Sequence, residues 1–92
     1  MPRWLAIGRA PGWDDVSKLT SEMKATKNWR ADARTTIHTV FALGDGRLVA
    51  ECHGVEQKDF EAWLKVKGWT VESISPIKHI ANVGSIWDGQ KP

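Results

Sequence analysis

A chain of 92 residues with 13 basic and 11 acidic side chains, net charge +2, makes one small domain and lacks the positive surplus that nucleic-acid binding demands. Its single cysteine, Cys52, excludes an internal disulfide and any metal motif built on a cysteine pair. Met1-Pro2-Arg3-Trp4 lacks the apolar run of a signal peptide and no stretch approaches the roughly 18 apolar residues of a membrane span, so the expected location is the cytoplasm. A domain of this size buries only about 60 to 65% of its unfolded surface and has little surplus stability, which a second subunit would supply. Six tryptophans and no tyrosine are an odd aromatic choice, since each buried indole N–H needs a partner. Several of them are expected at pocket walls or subunit contacts.

Trp4-Leu5-Ala6-Ile7-Gly8 reads as a buried strand stopped by the turn residues Arg9-Ala10-Pro11-Gly12, with Leu5 and Ile7 on one face and Trp4 and Ala6 on the other. From Trp13 the period changes: Val16, Leu19 and Met23 fall three or four apart. Acids lead (Asp14, Asp15) and bases trail (Lys24, Lys27, Arg30), as the helix dipole prefers, over about four turns.

Thr35 to Leu43 and Arg47 to His53 are strands around Gly44-Asp45-Gly46, and an Asp-Gly pair between β-branched residues signals a hairpin. With Asp45-Gly46 as a two-residue loop, Gly44 faces Arg47, Val40 faces Glu51 and His38 faces His53. One face then carries Ile37, Thr39, Phe41, Leu43, Leu48, Ala50 and Cys52; the other carries His38, Val40, Ala42, Val49, Glu51 and His53. Glu56 to Lys67 is a second amphipathic helix with the stripe Phe60, Trp63 and Leu64, and Gly68 stands where a left-handed C-terminal residue belongs. Trp69 to Ile80 is a last strand, placed at an edge or bulged because Pro76 has no N–H for a ladder. Ala81 to Pro92 is a tail anchored by Ile86 and Trp87.

The order βαββαβ in a single domain spanning 1–92 is the α+β, ferredoxin-like plan: a four-stranded antiparallel sheet with both helices on one face. The helix-free face, with Trp4, Ala6, Val40, Val49 and Ile77, is too apolar to be fully solvated and marks an interface or a ligand groove. RNA-recognition domains share the plan, but they present stacking aromatics where this chain has Val49, Glu51 and His53. Copper chaperones need a Cys-x-x-Cys loop where this chain has Arg9-Ala10-Pro11-Gly12-Trp13.

The run Arg47-Leu48-Val49-Ala50-Glu51-Cys52, the helix with Phe60 and Trp63, and Gly68-Trp69-Thr70-Val71-Glu72-Ser73-Ile74-Ser75-Pro76-Ile77 resemble the second half of small proteins of the dimeric α+β barrel superfamily. The resemblance covers roughly the last half of the chain. It implies a homodimer in which two sheets face each other and enclose a pocket; relatives include cofactor-independent monooxygenases, haem-handling proteins and nickel-binding proteins. The nickel-binding relatives have histidine-rich helices, from which this chain departs: Trp13 to Arg34 contains no histidine.

His38, Glu51 and His53 are the sharpest constellation. In the register above they share the open face with the two histidines opposite one another. Two imidazoles and a carboxylate suit a divalent metal, or the carboxylate can orient one histidine as a general base. A slip of one residue pairs His38 with Cys52 instead, so the site depends on register. The same residues also read as ordinary solvated or cross-dimer polar groups. His79 shares the parity of Ile77, on an edge strand. Cys52, on the core face without an adjacent base, reads as a small buried residue. Three functions follow: a homodimer binding a small molecule or metal, its pocket lined by Trp4, His38, Val40, Glu51, His53 and Ile77; a non-catalytic protein-interaction module; or a cofactor-independent enzyme acting on a hydrophobic substrate, with His38 or His53 as base.

Overall fold

The computed structural model describes residues 2–13, 15–24 and 26–88. Met1, Asp14, Ala25, the residues after Asp88 and the side chains of the expected anchors Ile86 and Trp87 lie outside the described part. In chain order the elements are β1 (Arg3–Arg9), α1 (Val16–Met23), a 3-10 turn (Thr26–Trp29), β2 (Arg30–Asp32), β3 (Thr35–Ala42), β4 (Leu48–Gly54), α2 (Gln57–Val66), β5 (Thr70–Pro76), β6 (His79–Asn82) and β7 (Ser85–Asp88). Five strands form one antiparallel sheet in the order β2-β3-β4-β1-β5, and β6 pairs only with β7. The chain is thus α+β, with two helices and a five-stranded sheet where four strands were expected. The fifth strand, β2, comes from the residues just before the hairpin, and the expected tail from Ala81 holds the end of β6 and the whole of β7.

Helix α1 is two turns long rather than four. Asp15 caps its start by accepting the Ser17 N–H at 3.3 Å, and the Trp29 indole donates to the Met23 carbonyl at 2.7 Å. That carbonyl is one of those a helix end leaves unpaired, so the indole closes the helix where the spacing alone would carry it on. Helix α2 follows its sequence pattern closely: Phe60, Trp63 and Leu64 are all buried. Gly68 takes φ +81 while the Gly68 and Trp69 N–H groups donate back to the Lys65 and Leu64 carbonyls at 3.1 and 2.9 Å, a Schellman ending. The strand after it stops at Pro76, and β5 lies at the sheet edge as its proline requires.

Three tryptophans, Trp13, Trp63 and Trp69, are buried in the core, and Trp63 and Trp29 also line clefts. Trp13, Trp63 and Trp69 pack edge-on and tilted with centroids 5.6 to 6.4 Å apart, the separations aromatic pairs favour. Trp4 and Trp29 are partly buried and pack against the core of which these three are part. Trp13, Trp63 and Trp69 find little water while Trp4 and Trp29 are half-buried, and three indoles satisfy their N–H on backbone carbonyls: Trp4 on Gly54 at 2.9 Å, Trp29 on Met23 and Trp63 on Asn28 at 3.0 Å.

Two features reassign the faces of the sheet. In β1, Trp4 pairs with Cys52 and Ala6 with Ala50, so Trp4 and Ala6 lie on the helix side and Leu5 and Ile7 on the open side, the reverse of the expected parity. In β3, the pairs Val40 with Ala50 and Thr39 with Glu51 give way to Ile37 with Cys52 and Thr36 with His53. His38 is the extra residue of a β-bulge. Beyond it the alternation reverses, which puts Val40 on the helix side, where it packs against the core, and leaves Phe41 on the open side with 54% of its surface exposed.

The turn also differs from the expected two-residue loop. The Leu43 N–H donates to the Arg47 carbonyl at 2.8 Å and the Gly46 N–H to the Leu43 carbonyl at 3.1 Å, enclosing Gly44, Asp45 and Gly46. A two-residue type I′ loop needs positive φ at both central positions, but only Gly46 has it, at +88, and no described non-glycine residue does. Asp45 instead accepts the Arg47 N–H at 3.0 Å and pairs with its guanidinium at 2.8 Å, which settles the three-residue loop.

Candidate metal site on the open face

The register stacks the open face into three rows. Phe41, Val49, Ile7 and Ser73 form an apolar row ending in a hydroxyl; Thr39, Glu51, Leu5 and Ser75 form the next; Thr36, His53 and Arg3 form the third. His38 reaches this face from the bulge, which turns its side chain toward the same side as Thr39. Its Nδ1 lies 2.8 Å from the Thr39 hydroxyl, and its ring stacks on His53 with centroids 4.8 Å apart and planes 8° from parallel.

Glu51 stands between these groups. One carboxylate oxygen is 3.6 Å from His38 Nδ1, and the other is 3.8 Å from His53 Nε2. That second oxygen also accepts the Arg3 guanidinium at 2.7 Å. The Arg3 and Glu51 side chains are only 17% and 18% exposed, so the pair is shielded enough to fix the carboxylate rather than sway with solvent. His53 Nε2 is buried and has no hydrogen-bond partner. Burial holds the His53 pKa below its ordinary value, and the charges of Arg3 and His38 push the same way, against the pull of Glu51. A neutral imidazole with an unused nitrogen is the form that ligates a metal.

A donor set of two imidazoles and one carboxylate is that of open, three-ligand zinc sites. Tetrahedral ligands at bonds of about 2.1 Å sit roughly 3.4 Å apart. The two histidine-to-carboxylate separations are close to this, and one donor atom from each of His38, Glu51 and His53 lies within 4.8 Å of the others. A carboxylate orienting a base would need a hydrogen bond of about 2.6 to 3.2 Å. Both separations are longer, and Glu51 is already paired with Arg3.

The other expected site residues separate from this cluster. Trp4 is turned inward, its indole fixed on Gly54. Val40 lines a cleft of about 260 Å³ on the helix side with Leu19, Met23 and Trp29. Ile77 stays next to the site: its N–H donates to the Arg3 carbonyl at 3.0 Å. His79 is exposed in the β6–β7 hairpin, outside the main sheet. Cys52 is fully buried in the core. The sequence did not point to Arg3; its signal was β1 lying beside β4 in the split plan, with the strand parity reversed. No protein-family model, curated protein or solved structure matches this chain, so the superfamily resemblance gains no support there and the site is argued from its own geometry. Among the described residues no helix is long and apolar enough to cross a membrane.

Proposed function

We propose that the chain is a small divalent-metal-binding protein whose ligands are His38, Glu51 and His53, with a fourth position left for water or a small molecule. The observation that carries this is the bulge at His38: it adds one residue to an otherwise regular ladder and uses it to lay an imidazole over His53 beside Glu51. Bulges re-aim side chains at sites of this kind. We also read the fold as ferredoxin-like with an added edge strand, since β3, β4, β1 and β5 adjoin in the order that plan requires. A second copy covering Leu5, Ile7, Phe41 and Val49 would complete a homodimer in the manner of an α+β barrel, in the reducing setting of the cytoplasm.

Zinc, cobalt and nickel added to the purified chain test the metal site. Binding to the folded state alone raises stability by about 2.7 kcal/mol at a hundredfold excess over the dissociation constant, read as a higher melting temperature. His38→Ala and His53→Ala each remove that rise. A melting curve that none of the three ions moves retires the metal site. A second reading, a protein-interaction face, is favoured by the exposure of Phe41 beside Val49 and Ile7; sedimentation at micromolar concentration that finds only monomer removes the homodimer and leaves a different partner to cover that row.

A further inference from the structure

Two of the bases that trail α1, Lys27 and Arg30, have no helix end to serve. The helix closes at Met23, so Lys27 and Arg30 lie beyond the reach of its dipole, which fades within the last turn. They instead border a cleft of about 320 Å³ between the 3-10 turn and β2 on one side and α2 on the other. A volume of that size suits a small ligand.

The α2 wall is one helical face: Asp59, Ala62, Trp63, Val66 and Lys67 recur at the spacing of a single stripe. The Trp63 indole donates to the Asn28 carbonyl at 3.0 Å, so the two walls are tied together before any ligand arrives. Charge gathers at the rim. Lys27, Arg30 and Lys67 contribute three positive charges against two negative ones, from Asp59 and from the Glu22 carboxylate beside Lys67. Lys67 is held 3.8 Å from Glu22 with its side chain 17% exposed, whereas Lys27 and Arg30 are exposed. Among the described residues the Arg30 fork makes a long hydrogen bond, 3.4 Å to the Ala33 carbonyl, and a guanidinium engaged that weakly can turn to a planar oxyanion. Beside these charges, Ala31, Ala62 and Val66 give an apolar wall, and Val66 keeps 84% of its surface exposed.

We infer that this cleft binds a small organic oxyanion, a phosphate or carboxylate head on a short apolar body, with the head at Arg30, Lys27 and Lys67 and the body along Ala31, Ala62 and Val66. The site is on the helix side of the sheet and independent of His38, Glu51 and His53.

Titration of the full chain, followed by amide and indole N–H NMR signals, tests it with four probes: phenyl phosphate, benzoate, benzyl alcohol and inorganic phosphate. Phenyl phosphate or benzoate should shift the signals of Ala31, Ala62 and the Trp63 indole saturably, with a dissociation constant of roughly 1 mM or below. The tighter of the two identifies the head group. Arg30→Gln and Lys27→Gln should each weaken binding about tenfold, the loss expected for one charge-assisted hydrogen bond. Both residues are exposed, so the variants should keep the parent amide spectrum. The proposal is overturned if neither aromatic anion saturates by about 10 mM, if benzyl alcohol or inorganic phosphate binds as tightly as they do, or if the two variants bind unchanged.

Discussion

The same strands build both faces of the sheet, and the two faces obey different rules. On the helix side Ala6, Leu48, Ala50 and Cys52 are fully buried and Ile37 nearly so. On the open side Leu5, Ile7 and Val49 are half-buried, Phe41 is more than half exposed, and an ionic cluster sits among them. The helix side is where alternation of side chains decides stability. The open side is where one residue, His38, departs from alternation and gains a geometry that alternation cannot supply.

The largest expected effect tests that division directly. Phe60 is fully buried under the sheet, and Phe60→Ala should cost about 3 to 5 kcal/mol by removing its contacts and leaving a cavity. Phe41→Ala, the same change on the other face, should cost under about 0.5 kcal/mol in a monomer, as at an ordinary surface position. Urea titration of both variants measures the contrast. A Phe41→Ala cost that grows well beyond this and depends on protein concentration would show that a second copy covers the open face, and the faces would then differ less than the single chain implies.

Much of this was legible in the residues. Helix α2, its stripe of Phe60, Trp63 and Leu64, its glycine ending and the edge position of the strand with Pro76 follow from local chemistry, and local chemistry is what a sequence displays. The grouping of His38, Glu51 and His53 was legible too, although through a register that does not occur. The expected pairing counted outward from a two-residue loop; the actual loop has three residues and moves the ladder by one step, and the bulge moves it by another. The histidines meet because the bulge brings them together, not because they are cross-strand partners. Val40 and Phe41 show the other consequence, since they exchange faces. A bulge is decided by what both flanks must bury, here Ile37 on one side and Val40 on the other, and no window of residues shows that. Arg3 was hidden for a related reason, because its partner lies 48 residues away on a neighbouring strand.

Deleting His38 should have a smaller effect on the fold than its central position suggests. Without it Ile37 and Val40 keep the helix side, and Thr36, Thr39 and Phe41 keep the open side, so the ladder becomes regular with every buried residue still buried. The expected change in stability is within about 1 kcal/mol, accompanied by complete loss of the melting shift produced by divalent ions. Thermal and urea unfolding with and without zinc read both quantities. If the deletion variant fails to fold, the bulge belongs to the structural frame and not to the site.

The smallest effect expected is a dependence on pH centred on His53. Its pKa in the folded chain lies below the ordinary 6.5, chiefly through burial and secondarily through Arg3 and His38. As pH falls, the unfolded chain therefore takes up this proton before the folded chain does, and protonation draws the equilibrium toward unfolding. The contribution of His53 is fully present above pH 6.5 and is lost as pH drops from there through the folded-state value. His53→Gln, which cannot titrate, should flatten the stability profile across that window, and Arg3→Gln should raise the His53 pKa and narrow the window from below. Histidine ring signals followed by NMR during a pH titration give the pKa in each variant. An Arg3→Gln chain in which His53 titrates where it did before would mean that the guanidinium acts on Glu51 alone, and that the unpaired His53 nitrogen is kept neutral by burial without help from its charged neighbour.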